Sequence, residues 1–392
     1  MMETRDHEQT FDFPAVRTRI IFGFGSLGRL PSMVSAYGCS KALIVTDPGL
    51  IRAGVVEKVK TVLANGGIRH VVFGEVPQDS STETIGRALE LLRSQSCDIV
   101  VGLGGGSSMD TAKAVAFSTS NPPPIIQYAG LNKLKKAGLP VIAIPTTAGT
   151  GSEVSYWAAI TDDATATKRA IGGDLVFPSA ALCDPELTIT LPAPITAATG
   201  MDALAHAIES FTNKSYQPIS DALTIRAIEL IGKYLVRAVE NGTDREARYM
   251  MMLGSTLAGI GMNPTRLGIV HALAMPLGSW GIKIPHGTGN AVLLPHVMDF
   301  NLMSNPGAYA RVALALGVDT AGLNNADAAR EAVARVRSMN KQMGIPKGLG
   351  ELGLSEASIP LVCSEALKSD NVTANPRTST QADLEAICRS AL

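Results

Sequence analysis

The chain has 392 residues, is 46% hydrophobic and carries a formal net charge of −1. This length and apolar content predict a globular protein of two domains with sizeable cores. Acidic and basic residues are interspersed, which argues against a nucleic-acid partner because such a partner requires a basic surface.

Signals for a membrane or for secretion are missing from the sequence. The longest apolar runs are far shorter than a bilayer span, and the N-terminal residues lack the apolar core of a signal peptide. The five cysteines are widely separated and include no Cys-x-x-Cys pair, which is typical of reduced thiols. We therefore expect a cytoplasmic protein without a membrane partner.

The first half of the sequence alternates β-branched runs with helical stretches, a pattern typical of β-α units on a largely parallel sheet. Strands are predicted at residues 19–22, 41–47, 70–73, 98–103 and 140–145, and helices at 53–65, 82–95 and 112–118. From Pro192 onward, long helical stretches rich in alanine, leucine and methionine take over. The sequence thus predicts an α/β domain over residues 1–191 and an all-α domain over residues 192–392.

Two glycine-rich stretches compete as the binding site for nucleotide phosphates. Residues 23–28 fit the dinucleotide fingerprint and precede Asp47 by a suitable interval, but Pro31 is expected to shorten or distort the following helix. Residues 104–113 follow a buried strand, and their three glycines with Ser107 offer backbone and hydroxyl donors to an anion at a helix N-terminus. The second stretch is the better candidate, with an ordinary tight turn as the alternative.

A third polar loop, residues 146–153, follows the last predicted strand at its C-terminal end, where open α/β sheets bind ligands. Its hydroxyls and glycines suit a ribose and diphosphate channel, although an unliganded turn has the same composition. Asp47 ends the first clear strand, where a carboxylate accepts hydrogen bonds from a ribose and repels a 2′-phosphate. The sequence therefore favours NAD over NADP.

One carboxylate and three imidazoles suggest a metal site in the second half. Asp202 and His206 stand four residues apart and share one face if their segment is helical, and His271 and His286 follow in largely apolar surroundings. This ligand set suits zinc or ferrous iron and excludes calcium and magnesium. Alternatively, Asp202 and His206 form a pair at the surface, and the other two histidines lie in the core. The spacing alone does not decide between a metal site and this alternative.

Several ordered motifs together resemble the iron-containing, group III alcohol dehydrogenases over about residues 15–390. They are Gly-Gly-Gly-Ser with Asp110, the 146–153 loop, Gly-Met-Asp202-Ala-Leu-Ala-His206, Val-His271-Ala and Pro-His286-Gly. The resemblance implies an N-terminal α/β NAD-binding domain and an all-α, metal-binding C-terminal domain, an architecture shared with dehydroquinate synthase. The implied metal ligands, which are catalytic through the metal, are Asp202, His206, His271 and His286. The implied NAD contacts are Asp47, Gly105, Gly106, Ser107, Asp110, Thr146, Thr147 and Thr150, and, by looser matching, Ser155, Trp157, Lys168 and Leu187.

The resemblance implies an oxidoreductase that transfers a hydride reversibly between a small primary alcohol or aldehyde and NAD. Fe²⁺ or Zn²⁺ would act as the Lewis acid, and a homodimer or higher homo-oligomer is expected. A metal-free enzyme resembling maleylacetate reductase is the main alternative. A sugar-phosphate cyclase resembling dehydroquinate synthase fits less well because few basic residues surround the ligands, and a non-enzymatic binding protein also remains open.

The sequence departs from the family pattern near the metal ligands. Met275 replaces a histidine that many members carry one turn after His271, and a thioether cannot titrate. The separation of His271 from His286 is one residue longer than usual. Arg266 stands where small residues are common, and it would either bind an anionic substrate or, as most arginines do, pair with a nearby acid.

Overall fold

The computed structural model describes residues 11–14, 16–215, 217–279 and 282–392, so residues 1–10 of the predicted first domain lie outside it. The chain divides into two compact units, Val16–Leu191 and Pro192–Leu392, and residues 11–14 belong to the second. All five cysteines are free. Within the described ranges, no helix combines the length and apolar character needed to cross a bilayer.

The first unit alternates strands and helices along the chain. Its strands are β1 (Arg19–Phe22), β2 (Lys41–Val45), β3 (Arg69–Phe73), β4 (Ile99–Gly104), β5 (Gly130–Leu131), β6 (Val141–Pro145), β7 (Trp157–Asp162), β8 (Thr167–Gly172) and β9 (Ala180–Cys183). Its helices are α1 (Leu30–Ala36), α2 (Pro48–Arg52), α3 (Val55–Asn65), α4 (Thr82–Ser94) and α5 (Gly106–Ser118).

Six of these strands form a parallel sheet in the order β1-β9-β6-β4-β2-β3. Residues 42–45 of β2 and all of β4 are buried because apolar clusters cover both faces of the sheet. The neighbouring strands β2, β4 and β6 run in the same direction, so their C-terminal ends share one edge. The segments that follow these strands at that edge carry the predicted NAD contacts from Asp47 to Thr150.

Two features of this unit differ from the sequence prediction. Helix α5 begins at Gly106, six residues before the predicted start at Ala112, because the polar Gly-Ser-Ser segment already forms the first turn of the helix. The β7–β8 hairpin, paired with β5 in a second sheet, was not predicted at all. Its strands show little hydrophobic alternation, so the packing of the hairpin against α5 defines them better than their sequence does.

The second unit is built from helices throughout its described part. They are α6 (Ala193–Thr212), α7 (Pro218–Glu240), α8 (Arg245–Thr265), α9 (Ile269–Leu277), α10 (His286–Asn301), α11 (Pro306–Ala315), α12 (Asn325–Gln342), α13 (Ile359–Ala366), α14 (Asn371–Ala374) and α15 (Gln381–Ser390). Helix α6 packs against α7, α8 and α10, and every residue from Gly200 to Thr212 is buried. Polar side chains on this stretch therefore need internal partners.

Candidate metal and nucleotide sites

Two of the four predicted metal ligands lie on α6, as their spacing predicts. Asp202 and His206 stand one turn apart on the same face, and their side chains are 3% and 7% exposed. The Nε2 atom of His206 lies 4.0 Å from Oδ1 of Asp202. A surface pair is therefore excluded, because both groups are inside the helical unit.

The other two predicted ligands meet this pair from different helices. His271 lies in the first turn of α9, and His286 is the first residue of α10. Oδ1 of Asp202 is 3.4 Å from Nε2 of His271 and 3.8 Å from Nε2 of His286, and the three atoms all lie within 4.8 Å of one another. The ring of His206 stacks on that of His271 with centroids 4.4 Å apart.

These distances suit a divalent ion of the zinc or ferrous type. Tetrahedral coordination at about 2.1 Å places ligand atoms about 3.4 Å apart. The separations of Asp202 Oδ1 from Nε2 of His271, His286 and His206 are 3.4, 3.8 and 4.0 Å. The donor set of one carboxylate oxygen and imidazole nitrogens is also the one that such borderline ions prefer. The residues therefore fit the predicted metal.

The side chain of Asn290 occupies the point where the candidate ligand atoms converge. Its Nδ2 lies 2.6 Å from Oδ1 of Asp202, 3.1 Å from Nε2 of His271 and 3.2 Å from Nε2 of His286. Its Oδ1 is buried and accepts no hydrogen bond. One carboxylate oxygen and two imidazole nitrogens thus converge on a single polar group, and the same convergence would suit a cation. No role for Asn290 was predicted, although it lies one turn after His286 on α10.

A second residue that the sequence analysis missed is Glu209, on the same helix as Asp202. Its Oε2 accepts a hydrogen bond from Nδ1 of His271 at 2.6 Å, and its Oε1 accepts one from the backbone N–H of Val270 at 2.7 Å. The side chains of Glu209 and His271 are only 5% and 4% exposed. The sequence signals that indicate the shared face are the spacings of three residues from His206 and seven from Asp202.

The charges of this cluster reinforce one another. Burial opposes the charge of Asp202, but nearby His206 and a hydrogen bond with His271 outweigh it, so the pKa of this carboxyl lies far below its usual range. Burial would lower the pKa of His271, but its hydrogen bonds with Asp202 and Glu209 raise it to about 9. Two buried carboxylates therefore make the cluster a favourable environment for positive charge.

In the first unit, the second glycine stretch lies against the 146–153 loop. Gly104 has φ of 148°, a backbone conformation that favours glycine, and a Cβ on Gly106 would lie 3.0 Å from Cγ2 of Thr150. The hydroxyl of Thr147 is buried and neither donates nor accepts a hydrogen bond. A Cβ on Gly105 would lie 3.5 Å from this hydroxyl. Glycine thus permits the close approach of the two loops, and the unused hydroxyl of Thr147 lies near the start of α5, where a helix N-terminus favours an anion.

Three other predicted NAD contacts at this edge already have protein partners. Oδ1 of Asp47 caps α2 by accepting from the N–H groups of Gly49 and Leu50 at 2.8 and 3.1 Å. The hydroxyl of Ser107 donates to the carbonyl of Gln78. Asp110 accepts hydrogen bonds from Ser152 Oγ at 2.6 Å and from the backbone N–H of Ala159 at 2.9 Å. Asp110 is thus largely engaged in joining α5 to β7 and the loop before it.

The remaining predicted contacts are less closely grouped. The backbone N–H of Thr146 donates to the carbonyl of Gly104 at 3.0 Å, which connects the two loops. Lys168 pairs with Asp79 at 2.7 Å, and Oγ of Ser155 accepts from the N–H of Trp157 at 3.1 Å. Leu187 packs in the apolar core beside the sheet. That Ser155, Trp157, Lys168 and Leu187 contact nicotinamide stays a prediction.

The first glycine stretch is not an anion site in this structure. The backbone N–H groups of Gly25 and Leu27 donate to the carboxylate of Asp184 at 3.2 and 3.0 Å, so a side chain already occupies the place of a phosphate. The helix after this stretch is short, as Pro31 predicts: residues 26–29 form a 3₁₀ turn and α1 has only seven residues. This proline lies in the first turn of α1, where its missing N–H removes no helical hydrogen bond.

Arg266 and Met275 mark the departures from the family pattern. Nη1 of Arg266 lies 3.0 Å from Oδ2 of Asp370, so the arginine forms the ion pair that was the preferred interpretation. The side chain of Arg266 is partly exposed and that of Asp370 is exposed, and such a pair contributes little to stability. Met275 lies one turn after His271 in α9 and is partly buried.

A parallel α/β unit with a glycine-rich turn after a buried strand, and a helical unit with converging carboxylate and imidazole groups, are the features expected of a nucleotide- and metal-dependent enzyme. The chain belongs to the iron-containing alcohol dehydrogenase family. Residues 17–185 match the model described as iron-containing alcohol dehydrogenase, and residues 196–392 match the C-terminal model of the Fe-containing alcohol dehydrogenase family.

Characterised relatives and solved structures are similar over almost the whole chain. The NAD-dependent methanol dehydrogenase of Bacillus methanolicus is 38% identical over 95% of this chain and 97% of its own length. The 1,3-propanediol dehydrogenase of Citrobacter freundii is 40% identical over 94% and 96%. A crystal structure of 1,3-propanediol oxidoreductase, 38% identical, superposes with a TM-score of 0.94 over 98% of this chain and 100% of that one. A sulfoacetaldehyde reductase from Bifidobacterium kashiwanohense in complex with NAD⁺, 31% identical, gives 0.86 over 98% and 99%.

These comparisons confirm the predicted family, the predicted fold class and the predicted type of enzyme, an alcohol-oxidising or aldehyde-reducing oxidoreductase. The predicted cofactors agree with iron in the family's description and with NAD in the names of relatives. The individual site residues remain predictions, supported by the geometry described above.

Proposed function

We propose that this chain transfers a hydride reversibly between a small primary alcohol or its aldehyde and NAD, with a divalent ion bound to Asp202, His206, His271 and His286. The observation that carries the proposal is the convergence of Asp202 Oδ1 with Nε2 of His271 and His286 inside the helical unit. Short alcohols are the proposed substrates because relatives that act on methanol and 1,3-propanediol, by their names, match nearly the full chain.

With both groups bound, the chemistry supplied is polarisation of the alcohol oxygen by the metal and acceptance of a hydride by nicotinamide. The contribution of the chain is to hold the metal-binding side chains in fixed positions. Asp202 provides a buried negative charge and His206 an imidazole on the same helix, and His271 and His286 provide two further imidazoles from α9 and α10. Met275 carries no titratable group, so the proton of the alcohol does not leave through this position.

For NAD we propose contacts along the edge formed by β2, β4 and β6. The N–H groups at the start of α5 and the unused hydroxyl of Thr147 are suited to the diphosphate. Asp47 Oδ1 caps α2, which leaves Oδ2 to accept hydrogen bonds from the adenosine ribose. The proposed contacts are Asp47, Gly105, Gly106, Ser107, Asp110, Thr146, Thr147 and Thr150, with Ser155, Trp157, Lys168 and Leu187 toward nicotinamide.

The decisive assay follows NADH formation from a panel of short primary alcohols and diols, before and after chelation and after restoration of Fe²⁺ or Zn²⁺. We expect chelation to abolish turnover and one of the two metals to restore it. A reaction that persists in metal-free protein would support the maleylacetate reductase-like alternative. The absence of NADH with every alcohol, with metal and NAD bound, would support a binding protein without this activity.

The Asp47→Asn protein should use NADP better, relative to NAD, than the wild type does. The amide keeps the cap of α2 but removes the charge that would repel a 2′-phosphate. We expect the ratio of the two kcat/KM values to change by about tenfold or more, since a repulsion of about 1.4 kcal/mol already gives this factor.

A matched control for Asp47 is Asp98→Asn. Asp98 also accepts backbone hydrogen bonds, from Ser40 and Lys41, but it lies at the opposite edge of the sheet. The control should leave the cofactor ratio unchanged. If Asp47→Asn does the same, Asp47 does not face the ribose.

Location in the cytoplasm and assembly into a homodimer or higher homo-oligomer stay predictions from the sequence. The mass of the purified protein in solution, measured by light scattering, tests the second of them.

A further inference from the structure

We propose that Glu209 is a positioning residue for the metal site: its carboxylate fixes the ring of His271 so that Nε2 is directed at the metal. The inference rests on the proposed metal-binding function and adds to it a residue that does not itself bind the metal.

The geometry places Glu209 behind His271, away from the converging ligand atoms. Asp202 and His206 precede it on α6 by seven and three residues, so one helix supplies two ligands and this carboxylate. Nδ1 of His271 lies 2.6 Å from Oε2 of Glu209, while Nε2 of the same ring lies 3.4 Å from Asp202. The imidazole thus has the carboxylate on one side and the metal ligands on the other.

Both oxygens of Glu209 contact the beginning of α9. Oε2 accepts from the ring of His271, and Oε1 accepts from the N–H of Val270, one of the groups that a helix cannot satisfy internally. Gly268 leaves room for the carboxylate, because a Cβ at this position would lie 2.7 Å from Oε1. Glu209 therefore holds the ring of His271 and also the turn of helix that carries it.

The chemical consequence follows from hydrogen-bond polarity. An ionised carboxylate can only accept, so Nδ1 of His271 must be the donor. The ring atom that remains for a metal is Nε2, the nitrogen that faces Asp202 and Asn290. Carboxylates in this position orient metal-binding histidines and increase the basicity of the ligating nitrogen.

Glutamine at position 209 cannot reproduce this arrangement, although it has almost the same shape. If its oxygen accepts from Val270, its NH₂ group faces Nδ1 of His271 and favours a proton on Nε2, where the metal should bind. If its oxygen accepts from His271, its NH₂ group faces the N–H of Val270, and two donors oppose each other. Either orientation weakens metal binding and leaves the volume of the core unchanged.

The test is a competition between the full chain and a chromophoric chelator for Zn²⁺. We expect Glu209→Gln to bind Zn²⁺ about 10- to 100-fold more weakly than the wild type. The matched control is Ser210→Ala, which removes a buried polar group from the next position on α6 without contacting a ligand. This variant should bind Zn²⁺ as tightly as the wild type does.

A spectroscopic measurement separates positioning from a general loss of stability. In the zinc-loaded protein, the Nδ1–H proton of His271 should resonate at unusually low field because it is shared with a carboxylate at 2.6 Å. Glu209→Gln should move this resonance upfield, and Ser210→Ala should not. A Glu209→Gln protein with wild-type zinc affinity and an unchanged resonance would overturn the inference.

The His286→Ala protein makes the two proposals distinguishable, because the His286 side chain is 29% exposed and its removal leaves the pair of Glu209 with His271 in place. If it loses Zn²⁺ while Glu209→Gln retains wild-type affinity, the metal site stands and the positioning role fails. If the wild type and His286→Ala bind Zn²⁺ equally, the proposed metal site itself is wrong, and the inference about Glu209 falls with it.

Discussion

The His286→Ala protein should fold, hold little metal and oxidise alcohols at least about a hundredfold more slowly than the wild type. The substitution removes one imidazole from the candidate ligands and leaves the position open to water. A metal acting as a Lewis acid contributes several kcal/mol to the transition state, and about 2.7 kcal/mol is a factor of a hundred.

His286 is a cleaner test of the site than His271 because the two side chains differ in burial. The side chain of His286 is 29% exposed, whereas that of His271 is 4% exposed and pairs with a buried carboxylate. Removing His271 would leave Oε2 of Glu209 without its donor, and a buried carboxylate that loses its charge partner destabilises the fold as well as the site. Loss of metal from His286→Ala can therefore be attributed to the missing ligand.

The measurement is metal content by elemental analysis, together with kcat and the thermal unfolding midpoint of each protein. His296→Ala is the control, since His296 also lies on α10 but bonds to Ser390 rather than to a ligand. It should keep its metal and its turnover. A metal-replete, fully active His286→Ala protein would remove this residue from the site.

The sequence predicts the two candidate ligands on one helix, Asp202 and His206, better than the two on other helices, His271 and His286. Asp202 and His206 share a helix, so their spacing alone places them on one face. His271 and His286 come from other helices, and only the resemblance to a family connects them with this pair. Long-range packing is what brings their Nε2 atoms within 4.8 Å of Asp202.

The residues that the sequence did not reveal are those whose partners are distant in the chain. Glu209 and Asn290 have the same helical spacing from a ligand as many inert residues, and their roles follow from hydrogen bonds that join different helices. The β7–β8 hairpin was missed for a related reason. Its packing against α5, rather than its own alternation, distinguishes it from a loop.

The burial of Lys113 was also not predicted from the sequence, because lysine is almost never fully buried unless it is paired. Its side chain is 1% exposed, and Nζ donates to Ser152 Oγ at 2.7 Å and to the carbonyl of Trp157 at 2.8 Å. Asp110 lies 3.5 Å away. Burial lowers the pKa of the Lys113 ammonium, and the charge of Asp110 partly offsets this effect. The cation thus joins α5 to β7 and the preceding loop.

Lys113→Met should destabilise the first unit by about 3–5 kcal/mol, the usual cost of removing one partner from a buried ion pair. The methionine fills similar space but leaves the carboxylate of Asp110 and the carbonyl of Trp157 without the ammonium. Urea unfolding followed by circular dichroism measures the effect. The exposed Lys58→Met on α3 is the control and should change the free energy of unfolding by less than about 0.5 kcal/mol.

A second substitution decides whether Asp110 serves the fold or the cofactor. If its carboxylate mainly balances Lys113, the Lys113→Met, Asp110→Asn double variant should recover part of the lost stability, because the uncompensated charge is gone. Asp110→Asn alone should then lower stability more than it weakens NAD binding. If Asp110→Asn instead weakens NAD binding by tenfold or more with stability unchanged, Asp110 contacts the cofactor directly. The hydrogen bonds from Ser152 and Ala159 give each carboxylate oxygen one protein donor, so the proposed contact with NAD would use the lone pairs that remain on these oxygens.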